Sequence, residues 1–224
     1  MKKCLSALFL IVVIYVGDMF FGNPVCYWIA QKRAQLYIAE NYTTELQLQI
    51  DEKCYDWYSG GAYMFRVTSQ VSPDTYFDLS YDKRARLAWD GYENQVLNKG
   101  NIIARLNAQY EQEVRDALEK ASFPVYNLGC TLFYDLEPIR SRLEPDKAYD
   151  ISGWAAQQGE IWLVCRPETV TEERLHEVVL EFCQLLETSN ITAARAAVTI
   201  VDDGGNSLSQ DYTDWQNLAA ENAS

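Results

Sequence analysis

The sequence predicts an α+β protein: an N-terminal transmembrane helix, then a small domain of one helix on an antiparallel meander, then a ferredoxin-like α+β domain. Three observations carry this. The stretch Leu5 to Phe21 is the longest apolar run of the 224 residues. Beyond it, helix-period stripes alternate with runs in which every second side chain is apolar, the period of a half-buried strand. From Leu87 onward the elements read β-α-β-β-α-β, the split βαβ order. The expected boundaries are residues 1–22 for the anchor, 23–85 for the helix-plus-sheet domain, 86–205 for the ferredoxin-like domain and 206–224 for a polar tail.

A helix rising about 1.5 Å per residue needs roughly 17 to 25 apolar residues to cross the hydrocarbon core, and Leu5 to Phe21 meets the lower end. Asp18 lies near the far end of the run, within reach of the headgroups. Lys2 and Lys3 keep the N-terminus cytoplasmic, which places the rest of the chain outside the cell, although Lys32 and Arg33 put positive charge on the exported flank too. Tyr27 and Trp28 are rings of the type that settle at a membrane interface. The rival readings are a cleaved signal peptide and a buried helix. Tyr15-Val16-Gly17 does not supply the small-x-small pattern of a cleavage site.

Asn23 and Pro24 open the next helix as cap and first-turn residue. It runs to about Tyr42, with Ala30, Ala34, Tyr37 and Ile38 on one face. Leu46, Leu48 and Ile50 then alternate with polar residues as a strand. Ser59-Gly60-Gly61 turns into Tyr63, Phe65 and Val67, and Ser72-Pro73-Asp74 turns into Phe77, Leu79 and Tyr81. Ile102, Leu106, Tyr110, Val114 and Leu118 form a helical stripe ending before Pro124. Residues from Tyr126 to Leu136 alternate as one strand, and a charged loop runs from Glu137 to Asp146. Glu160 to Arg166 is a strand apolar on both faces. Thr171 with Glu172 and Glu173 starts a helix carrying Leu175, Val178, Val179, Phe182 and Leu186. Ala196, Val198 and Ile200 close the sheet.

Gly22-Asn23-Pro24 directly after the anchor, Ala30, Ala34 and Tyr37 on the following helix, and then Asp90-Gly91-Tyr92-Glu93, Asn101, Arg105-Leu106 and Tyr110 resemble the YfjL-like proteins. These are uncharacterised membrane-anchored proteins of Gram-positive bacteria. The resemblance covers the first half of the chain most fully. It implies an anchored envelope protein and brings no activity or catalytic residue with it.

The formal net charge of -13 repels phosphate backbones, so nucleic acid is excluded as a partner. The six cysteines show no C-x-x-C spacing and read as free, mostly buried thiols, with one bridge among Cys54, Cys130, Cys165 and Cys183 as the alternative. His176, the only histidine, cannot complete a multi-histidine metal site and sits at the edge of an apolar helix face. Asp202-Asp203-Gly204-Gly205-Asn206 lacks the glutamate and ligand spacing of a calcium loop. Gly60-Gly61 and Gly204-Gly205 match no phosphate or dinucleotide pattern. No catalytic residue, metal ligand or cofactor is therefore assigned.

Fifteen tyrosines and six tryptophans stand out in the composition. Tyr55, Trp57, Tyr58 and Tyr63 cluster around one hairpin and form the candidate binding patch, because aromatics give large contact area at low entropic cost. The sequence thus favours a non-enzymatic, extracytoplasmic module that binds an envelope protein or peptide. Two alternatives stay open. One is a hydrolase using Asp135 with Glu137, or Cys183 with His176; the other is a cystatin-like inhibitor, a helix laid over a meander.

Overall fold

The computed structural model describes residues 22–212 except Ser59 and Tyr134, together with Gly17. The apolar run Leu5 to Phe21 lies, apart from Gly17, outside the described residues, as does the chain beyond Tyr212. Among the described residues no helix is long and apolar enough to cross a membrane. The fold is α+β and divides into two compact units, residues 1–101 with 144–146, and residues 102–143 with 147–224.

In the first unit, helix α1 (Pro24–Asn41) covers one face of a four-stranded antiparallel sheet. The strands β1 (Leu48–Asp56), β2 (Ala62–Ser69), β3 (Tyr76–Tyr81) and β4 (Leu87–Asp90) lie in sequential order. The Asn23 side chain caps α1, its Oδ1 accepting from the amides of Val25 at 2.9 Å and Cys26 at 3.2 Å. Ala30 and Ala34 are fully buried, and their small side chains let the helix approach closely while Tyr63, Phe65, Phe77 and Tyr81 fill the core. Period-two alternation produces this face directly: Tyr63, Phe65 and Val67 are buried in β2, and Phe77, Leu79 and Tyr81 in β3. Gly22, at φ +73°, sits against the rings of Tyr55 and Tyr63, where a Cβ would come within 2.7 to 2.9 Å of ring carbons.

The second unit joins helices α2 (Gly100–Lys120) and α5 (Glu172–Thr188) to a second sheet of β5 (Asn127–Thr131), β6 (Glu160–Cys165), β7 (Arg195–Val201) and β8 (Ser207–Tyr212). Between β5 and β6 lie the short helices α3 (Glu137–Arg140) and α4 (Ser152–Gln158). β6 and β7 are parallel and the other pairs antiparallel. A parallel pair needs a long crossover, and α5 supplies it. The stripe Leu106, Tyr110, Val114 and Leu118 meets Val178, Phe182 and Leu186 and the inward residues Leu163, Cys165, Val198 and Ile200 in one core. Thr171 caps α5 by accepting from the Arg174 amide at 3.2 Å.

The ferredoxin-like order does not form. Leu87–Asp90 pairs with β3 in the first sheet, so the second sheet has no strand ahead of α2 and keeps the sequential order β5-β6-β7-β8. The reason is local. The Asp82 carboxylate accepts from the amides of Arg84 and Arg86 and from the Arg86 guanidinium, and Ala85 adopts φ +56°. This tight turn folds β4 straight back onto β3. Three further expectations are corrected. Leu46 ends a 3₁₀ turn, and Gln47 at φ 47° separates it from β1. The strand expected to reach Leu136 ends at Thr131, because consecutive Leu132 and Phe133 are both buried and the Leu132 amide bonds to Asn107 Oδ1 at 2.8 Å. Ser207–Tyr212, within the stretch expected to be a polar tail, is a full edge strand on β7.

Candidate functional site

The same alternation that buries one face of the first sheet leaves polar side chains on the other. Cross-strand pairing sets Glu52 opposite Arg66, Cys54 opposite Met64, and Arg66 opposite Asp78. A bulge between Ile50 and Glu52 leaves Asp51 out of register. Together with Lys53 and Asp56, these residues line an open cleft of about 690 Å³.

Arg66 organises the cleft. Its Nε lies 3.1 Å from Asp78 Oδ1 and its Nη1 3.6 Å from Glu52 Oε2, and its guanidinium stands 5.7 Å from the Tyr76 ring centre. The hydrogen bond and charge of Asp78 hold the Arg66 guanidinium above its ordinary value. Asp78 is itself held by Gln95, whose Oε1 accepts the Asp78 amide at 2.9 Å and whose Nε2 donates to Asp78 Oδ2 at 3.0 Å. Four carboxylates, Asp51, Glu52, Asp56 and Asp78, line the cleft with two cations, Lys53 and Arg66, which gives it an excess of negative charge around an exposed thiol, Cys54. Such a face offers polar and acidic contacts to a cationic or hydrogen-bonding surface. Pairs as exposed as Arg66 and Glu52 add little stability.

The hairpin aromatics divide between this surface and the interior. Trp57 and Tyr58 sit in the turn between β1 and β2, 49% and 86% exposed, with ring centres 5.7 Å apart in an edge-on arrangement. The Tyr58 amide donates to Asp56 Oδ1 at 3.0 Å, which ties the tip to the rim of the cleft. Tyr63 is buried: its hydroxyl accepts from the Asn23 amide at 3.1 Å and donates to the Asn23 carbonyl at 3.2 Å. Tyr55, its cross-strand partner, is half-buried with its ring centre 5.2 Å from that of Tyr63. The four therefore do not share one surface.

The groups considered for hydrolysis differ in burial and in hydrogen-bond partners. His176 is exposed, whereas Cys183 on the same helix is buried, and burial followed by the charge of Glu187 pushes its thiol up to about 11. Asp135 and Glu137 are both exposed, and the Asp135 carboxylate accepts the Glu137 amide at 3.2 Å, closing a turn ahead of α3. Among the described residues no group of three His, Cys, Asp or Glu side chains is placed to hold a metal ion.

Sequence reasoning singled out the hairpin tip but missed the cleft beside it. The signal was present in the polar members of the alternation, Arg66 between Phe65 and Val67 and Asp78 between Phe77 and Leu79. Which of them converge depends on strand register, and sequence spacing does not supply that.

Residues 1–91 match the family model described as YfjL-like, N-terminal domain. The matched span ends one residue after β4, so it takes in the whole of the first sheet and the cleft on it. No curated protein and no solved structure matches the chain.

Proposed function

The chain is YfjL-like through its N-terminal domain, and from that premise we propose that it is a non-enzymatic binding module of the cell envelope. The apolar run Leu5 to Phe21 tethers it to the membrane with the N-terminus cytoplasmic and both folded units outside. It engages another envelope protein or peptide through the polar face of its first sheet. The observation that carries this reading is the acid-lined cleft around Arg66 with the exposed aromatic tip Trp57-Tyr58 at its rim. Aromatic anchors beside polar, charged groups are the composition of a recognition surface. The burial of Cys183 while His176 is exposed, and the use of Asp135 to close a turn, weigh against hydrolysis at those groups.

Photo-crosslinking from positions 57 and 58 in living cells tests the binding reading. A reproducible envelope partner, lost when the crosslinker is moved to exposed His176, is expected; no reproducible adduct refutes it. Sidedness has its own probe in the exposed thiol of Cys54. A reagent that cannot enter cells is expected to label Cys54 on intact cells, and labelling only after lysis would put the units on the wrong side.

A further inference from the structure

Helix α1 carries an apolar stripe that faces away from its own sheet. Val25, Trp28 and Leu36 are 62%, 61% and 61% exposed, and with Lys32 and Ala39 they fall within an arc of about 80° at 100° per residue. The buried pair Ala30 and Ala34 lies diametrically opposite. Tyr27, beside Trp28 in sequence, turns inward instead, with its ring centre 5.6 Å from that of Tyr63 and 5.9 Å from that of Phe65. A helix in water places its apolar residues against its core, so a second apolar stripe on the far side needs an occupant.

We propose that this occupant is the bilayer surface, with α1 lying in the interfacial plane. The inference rests on the tether proposed above. Val25 follows Phe21 by only four residues, so a membrane-embedded run ending at Phe21 delivers α1 directly to the headgroups. The residue types on the stripe match that location. Trp28 supplies a ring suited to the interface, Val25 and Leu36 supply apolar bulk, and Lys32 has a stem long enough to reach headgroup phosphates from a buried backbone. Interfacial helices bury such a face about 5–10 Å into the boundary between headgroups and acyl chains. Because α1 covers the inner face of the first sheet, seating the stripe on the membrane turns the opposite face outward. The cleft around Arg66 then points away from the bilayer, where a partner can reach it.

The test uses the full chain reconstituted into equimolar phosphatidylcholine and phosphatidylglycerol vesicles, with benzoyl-phenylalanine placed at position 28, 36 or 66. Flotation with the vesicles reads the tether, and lipid adducts detected by mass read the surface contact. Several-fold more lipid adduct from positions 28 and 36 than from position 66 is expected. A chain that floats but gives equal adducts at all three positions overturns the interfacial placement and leaves the tether standing. A chain that does not float overturns both.

Discussion

The Tyr42 hydroxyl donates to Asp90 Oδ2 at 2.5 Å, joining the end of α1 to the end of β4 across 48 residues of sequence. Tyr37 donates to the same oxygen at 2.8 Å, and the Tyr92 amide donates to Oδ1 at 2.9 Å. The Tyr42 ring packs against both Phe77 and Tyr92, with ring centres 5.0 and 4.7 Å away. Burial first, and then the Asp90 carboxylate, raise the Tyr42 hydroxyl well above the ordinary phenol range. One carboxylate thus fastens the helix to the edge of the sheet that bears the candidate cleft on its other face.

Removing one donor from this cluster should be milder than removing the acceptor. Tyr42→Phe is expected to destabilise the first unit by about 1.5–3 kcal/mol, the net worth of a hydrogen bond to a charged group. Asp90→Ala strands two hydroxyls and an amide, and should cost more. Urea unfolding of the two variants checks the order. An equal or smaller loss for Asp90→Ala would contradict the shared-acceptor role.

Gly22→Ala should destabilise the same unit by about 1–3 kcal/mol, since it combines a left-handed backbone with a collision against two rings. The close approach of Gly22 to Tyr55 and Tyr63 makes this a steric prediction. It is checked by the thermal midpoint in circular dichroism, and an unchanged midpoint would rule it out.

Burial pushes three thiols of the second unit up, Cys130 to about 12 and Cys165 and Cys183 to about 11, from an ordinary value of 9.0. The folded state holds these protons more tightly than the unfolded chain. The stabilisation is complete below the unfolded value and is lost as pH rises from there through the folded values. The urea midpoint of the second unit should therefore fall above pH 9.0, and less steeply in Cys165→Ala. Alkylation of the native protein below that pH should modify exposed Cys54 and spare the three buried thiols. Equal modification of all of them without denaturant would show that the core is not closed.

Two positions on α5 separate packing from surface. Phe182 is fully buried, with its ring centre 5.9 Å from that of Phe123, and Phe182→Ala is expected to cost about 3–5 kcal/mol. His176→Ala, on the exposed face, should leave the unfolding midpoint within error. Denaturant titration of both variants decides this; a comparable loss at His176 would mean that it has a buried partner.

Where local residues decide structure, the sequence was readable. Asn23 and Thr171 cap the helices they were expected to cap, because a cap needs only a side-chain oxygen next to unpaired amides. Tyr63, Phe65 and Val67 face the core because alternate side chains in a strand take opposite sides. Tyr58 at the hairpin tip was legible for the same reason as the turn around it. Leu87–Asp90 was not: a four-residue strand carries too little pattern to say which sheet it joins, and the Asp82 turn decided. Asp74 and Asp146 are a sharper case. The Asp146 amide donates to Asp74 Oδ2 at 2.7 Å and the Asp74 amide to Asp146 Oδ1 at 3.0 Å, a reciprocal pair 72 residues apart that no spacing announces.

By itself, the sequence determined the α+β class, the three long helices α1, α2 and α5, the core faces and the acidic surface. All of these follow from periodicity and charge, which are properties of neighbouring residues. Only the tertiary structure decided that Arg66, Asp78, Glu52 and Cys54 line one cleft and that Tyr63 is withdrawn from the hairpin surface. It also decided that the strand order is sequential in both sheets. Those outcomes depend on register and on which strands meet, and both are set by long-range pairing that local pattern does not encode.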